Sequence, residues 1–71
     1  MGMSTPKTKA EAREQIAKLQ GDIAREKASL AHHKAFYKSA SAKVSQSNQA
    51  MRIAEMKAKI AELRAKIPSL P

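Results

Sequence analysis

The segment from Arg52 to Leu70 repeats every seven residues, and this repeat constrains the fold more than any other feature of the chain. Arg52-Ile53-Ala54-Glu55-Met56-Lys57-Ala58 is followed by Lys59-Ile60-Ala61-Glu62-Leu63-Arg64-Ala65 and then by Lys66-Ile67-Pro68-Ser69-Leu70. Ile53, Ile60 and Ile67 take one apolar heptad position (a), and Met56, Leu63 and Leu70 take the other (d). That alternation of three- and four-residue steps puts one continuous apolar stripe on an α-helix and fits no strand, whose faces repeat every two residues. Pro68 disfavours helical backbone at the residue before it and stops the helix near Lys66 or Ile67. Ser47 or Asn48 can cap the other end, so the spacing predicts a helix over about 48–67.

The first half carries a second stripe. Thr8-Lys9-Ala10-Glu11 has the form of a capping box, and Ile16, Leu19, Ile23, Leu30 and Tyr37 then fall on one helical face. The stripe stays in phase across Gly21, which predicts one helix over about 8–38 rather than two. Residues 1–7 read as a flexible arm, and residues 8–71 as one domain. The Ser-rich run from Ser39 to Asn48 interrupts the pattern, because Ser competes with helix by bonding nearby backbone. Carried forward, the first stripe reaches Val44, Met51 and Ala58, out of phase with Ile60, so the chain is expected to turn within that run. The fold class that follows is all-α, an antiparallel two-helix hairpin resembling a short coiled coil. A turn at 43–45 would set Leu30 beside Met56 and Ile60, Ile23 beside Leu63 and Ile67, Leu19 beside Leu70, and Asp22 near Lys66.

Seventy-one residues are near the size at which one hydrophobic core barely offsets the entropy of folding. The chain has no cysteine, which excludes disulfides and zinc–thiolate sites, so self-assembly or a partner is expected to add stability. No apolar run approaches the roughly 18–20 residues of a membrane span, and the first residues contain no apolar signal core. The start resembles an N-myristoylation signal, but Pro6 stands where Ser or Thr is required. The expectation is a soluble, cytoplasmic protein that does not engage membranes.

Charge directs attention to the middle of the chain. The net charge is +8, and the stretch 27–54 contains no acid at all. It holds Lys27, Lys34, Lys38, Lys43 and Arg52 together with His32, His33 and the chain's two aromatics outside histidine, Phe36 and Tyr37. In a hairpin this becomes a basic tip, and Lys34, Lys38, Lys43, Arg52, Phe36 and Tyr37 are its candidate binding residues. The heptad seam is also flanked by cations, with Lys59, Arg64 and Lys66 as a second candidate set. Such flanks set like charges against each other in a homodimer through this seam and favour a surface carrying acids. Glu26, Asp22 and Gln15 on the first helix answer part of that need within the chain.

Catalysis requires convergent groups in a dry pocket, which two helices of this length do not enclose, so no catalytic residues are expected. His32 and His33 point about 100° apart on a helix and cannot share a metal, and neither a metal nor a cofactor is expected. The reading is a small basic interaction protein that docks on a macromolecule and regulates or inhibits it. The partner would be an acidic protein surface or a protein–nucleic acid complex. In build the chain is similar to small regulators and inhibitors encoded by phages and other mobile elements, anti-defence proteins among them, although no motif ties it to a family. Direct binding of nucleic acid is one alternative, without a helix-turn-helix, zinc finger or dense Arg region to support it. A homo-oligomer whose assembled tips trap small anionic nucleotides is another.

Overall fold

The computed structural model describes residues 5–71, and its architecture is the hairpin that the heptads imply. Helix α1 spans Lys9–Phe36 and helix α2 spans Ala40–Lys66, followed by a single 3₁₀ turn at Ile67–Ser69. The two helices lie antiparallel along a body of 49 × 19 × 15 Å. Pro68 sits within the 3₁₀ turn and ends α2 where the sequence places the stop.

The start of α1 is capped by Thr8, whose Oγ1 accepts from the Glu11 N–H at 3.2 Å. The Glu11 carboxylate reaches back one residue further than a standard capping box and accepts from the Lys7 N–H at 2.8 Å. Of the N-terminal arm expected over residues 1–7, residues 1–4 lie outside the described ones. Thr5–Lys7 lead into the helix with the Pro6 ring buried. Gly21 lies inside α1 with no positive φ, and a Cβ built there would meet nothing within 4 Å.

The turn departs from the sequence expectation. Only Tyr37, Lys38 and Ser39 separate the helices, so α2 begins at Ala40 rather than near residue 48, and the chain reverses before residues 43–45. Ser39 is the N-cap, with its Oγ accepting from the Ala42 N–H at 3.2 Å. The rest of the Ser-rich run, including Ser47 and Asn48, is helical because Ser41, Ser45 and Ser47 stay exposed and cost only their weak helix propensity.

Moving the turn shifts the facing register by about three helical turns. Glu26 consequently meets Gln49 at 2.8 Å and Arg52 at 3.6 Å across the hairpin. Asp22 pairs with Arg25, and Lys66 with Glu62, so the Asp22–Lys66 approach does not form. The core is one cluster of Ile16, Leu19, Ile23, Ile53, Ile60 and Leu63, with Leu30, Met56 and Ile67 packed against its edge. The heptad seam of α2 is therefore the interior of the hairpin.

Candidate basic tip and flanking cations

The closed end of the hairpin gathers most of the tip residues. Phe36 ends α1, Tyr37 and Lys38 form the turn, and Lys34 and Lys43 stand within about one helical turn on either side. Phe36 is 69% exposed and Tyr37 55%, so neither closes the core. Each ring instead rests on a histidine one turn earlier, Phe36 on His32 at 4.6 Å between centroids and Tyr37 on His33 at 4.7 Å. These i, i+4 stacks hold the rings against α1 while leaving an outer edge open. Both histidines are thereby committed to aromatic contacts, and among the described residues no group of His, Cys, Asp or Glu comes together that could hold a metal.

A buried glutamine fixes the tip. Gln46 is 9% exposed, and its Nε2 donates to the Tyr37 carbonyl at 2.9 Å and more weakly to the His33 carbonyl at 3.4 Å. The Tyr37 carbonyl lies past the last intrahelical bond of α1, while the His33 carbonyl also accepts the Tyr37 N–H at 2.8 Å. The same Nε2 lies 3.0 Å from His33 Nδ1. Carbonyls only accept, so the amide must present its NH₂ group here, and His33 Nδ1 accepts while Nε2 carries the ring proton. One side chain on α2 thus caps α1 and orients the ring beneath Tyr37. The sequence signal for Gln46 is its place seven residues before Ile53, in the seam itself, where a polar residue pins register.

Arg52 does not belong to the tip. It lies three turns into α2 and pairs with Glu26, which neutralises it. Two apolar residues left out of the candidate set take its place in the turn-proximal half, Val44 and Met51, each 61% exposed. Each stands two residues from an interior position, Gln46 or Ile53, and so about 200° round the helix from the seam.

The second candidate set divides. Lys59 and Lys66 both reach Glu62, at 3.6 and 3.5 Å. Arg64 has no ion-pair partner among the described residues, and neither do Lys27, Lys34, Lys38, Lys43 and Lys57. Lys7, Lys9, Arg13 and Lys18, toward the open end, are likewise without an ion-pair partner among the described residues, so unpaired cations run the length of the hairpin. No helix among the described residues is long and apolar enough to cross a membrane. No protein-family model, curated protein or solved structure matches this chain.

Proposed function

We propose that this chain is a docking protein that binds an acidic macromolecular surface, regulates or inhibits what it binds, and performs no catalysis itself. The observation that carries the reading is the tip. There, Phe36, Tyr37 and Val44 are exposed beside Lys34, Lys38 and Lys43, none of which has an acid to neutralise it among the described residues. Large exposed aromatics flanked by cations are the composition of interface hot spots, with rings anchoring and charges steering the approach. Gln46 supports the same reading, because it anchors the turn from beneath and presents the rings on a rigid frame.

The test is affinity capture from the native host with the parent and with a tip variant, Phe36→Ala with Tyr37→Ala and Lys38→Glu. One specific macromolecule should be recovered with the parent and lost with the variant, while the melting temperature barely moves. The class of partner follows from salt. A nucleic acid would lose log affinity with log salt at roughly 0.9 per phosphate neutralised on a duplex, and a folded protein more gently. Undiminished recovery with the tip variant would remove the tip from the function, and recovery of bulk nucleic acid with that steep slope would replace the protein partner.

A further inference from the structure

One long side of the hairpin is a basic groove that begins at the tip, with Lys34 and Lys43, and runs on along the body. On α1, Arg13, Gln20, Lys27 and Lys34 follow one another at seven-residue steps; on α2, Lys43, Ala50, Lys57 and Arg64 do the same. Seven residues bring a helix back to nearly the same face about 10.5 Å further along, so each set is a straight stripe. The two stripes border the same side, because Lys27 and Lys57 line opposite walls of one groove of about 300 Å³ with Leu30, Ala50, Ile53 and Ala54 between them. The cross-hairpin contacts Glu26–Gln49 and His33–Gln46 fix the register, setting Arg13 level with Arg64 and Lys34 level with Lys43. Every rung over roughly 30 Å then carries at least one cation. None of the six acids lies on either stripe.

The floor between these cations is apolar, formed by Leu30 and Ile53 with Ala50 and Ala54 beside them. Three residues after a stripe position comes a core residue, and an alanine follows it: Ile16-Ala17, Ile23-Ala24 and Leu30-Ala31 on α1, Ile53-Ala54 and Ile60-Ala61 on α2. The Ile or Leu faces the other helix, the stripe residue stands about 60° round on the groove side, and the alanine about 100° round, on the outer flank of the cation. Alanine at these rims allows a third helix to approach to the 8–10 Å typical of packed helices. A phosphate backbone would find Ile, Leu and Ala where it needs hydrogen-bond donors. The exposed rings that would stack on bases stand away from the groove's length, Phe36 nine residues from Lys27 and so on the opposite face of α1, and Tyr37 beyond the last helical residue in the turn.

We infer that this groove receives an acidic amphipathic helix from a protein partner, apolar side chains seated over Leu30, Ala50, Ile53 and Ala54 and carboxylates on the flanking cations, completing a three-helix bundle. The inference rests on the docking function proposed above and names the partner's recognition element. The spacing matches, since a helix with acids at its e and g positions presents carboxylates at the same seven-residue interval.

The probe is a synthetic peptide of about four heptads, long enough for the groove, with Leu at a and d and Glu at e and g. Repulsion between its own carboxylates disfavours self-pairing, so helix gained on mixing reports binding. The parent should bind it with a gain in far-UV ellipticity and should not bind the same peptide carrying Lys at e and g. Lys27→Glu with Lys57→Glu should weaken binding roughly tenfold or more. Lys7→Glu with Lys18→Glu makes the same change in net charge off the groove and off the tip, and should leave affinity within about threefold. Equal losses in the two variants would reduce the effect to net charge and overturn the groove, as would no binding by the parent. Duplex DNA bound more tightly than the peptide, and lost in the groove variant, would overturn the helical occupant. Any of these results alongside continued loss of captured partner in the tip variant would remove the groove while leaving the docking function in place.

Discussion

The two ends of this hairpin are built differently. At the open end the interior is apolar, with Ala12, Ile16, Leu19, Ile60 and Leu63 buried, and the Lys9 N–H closes it by donating to the Pro71 carbonyl at 2.9 Å. Toward the turn the buried side chains shrink to Ala42 and Gln46, while Phe36, Tyr37, Val44 and Met51 face outward. The hydrophobic effect therefore holds one end and hydrogen bonding the other. A helical hairpin with a single thin layer of core cannot both bury its large side chains and offer them to a partner. This chain separates the two tasks along its length.

The largest expected effect lies at the open end. Leu63 is 1% exposed, the most buried large side chain among the described residues, and Leu63→Ala should cost about 2–5 kcal/mol. A core this small rarely supplies more than about 3–5 kcal/mol in total, so the variant should be largely unfolded by far-UV circular dichroism at room temperature. If it melts close to the parent, the apolar end does not hold the fold, and the contrast between the ends is wrong.

The second effect is smaller and belongs to the turn. Gln46→Leu keeps the volume but leaves the Tyr37 and His33 carbonyls without their side-chain donor, at a cost of about 1–3 kcal/mol. Amide hydrogen exchange should rise first in residues 33–46 while the open end keeps its protection. A variant more stable than the parent would mean that an apolar closure serves the turn equally well and that Gln46 only sets register.

The hairpin, the capped start at Thr8, the uninterrupted helix through Gly21 and the identity of the seam residues were legible because each follows from spacing along one helix. The turn was not, because it is decided between neighbouring choices of similar energy. Ser39, Ser47 and Asn48 can all cap a helix, and the choice falls to Ser39 because only then does Gln46 reach the Tyr37 carbonyl at the end of α1. That six-residue difference accounts for the other errors, the Asp22–Lys66 approach and the placement of Arg52 at the tip. Lys34, Phe36, Tyr37, Lys38 and Lys43 survived it because they lie close to the turn wherever in the Ser-rich run it falls. The groove cations were visible only as charge, since a stripe acquires a side when the register across the hairpin is known.

The smallest effect sharpens the contrast most. Val44 and Met51 are large and apolar, yet each is 61% exposed on the face of α2 turned from the seam. Val44→Ser with Met51→Ser removes apolar atoms that fold against nothing, so stability should change by no more than about 0.5 kcal/mol per site, the range of ordinary surface substitutions. Ile53→Ser, two residues from Met51 and buried in the cluster, is the matched control and should cost several times as much, since it empties an interior site and buries a hydroxyl. The melting temperatures of the two variants measured side by side therefore read the polarity of α2 directly. Should Val44→Ser with Met51→Ser lower stability as far as Ile53→Ser does, those side chains are buried in solution. A second copy of the chain would be what covers them, and the melting temperature of the parent would then rise with protein concentration.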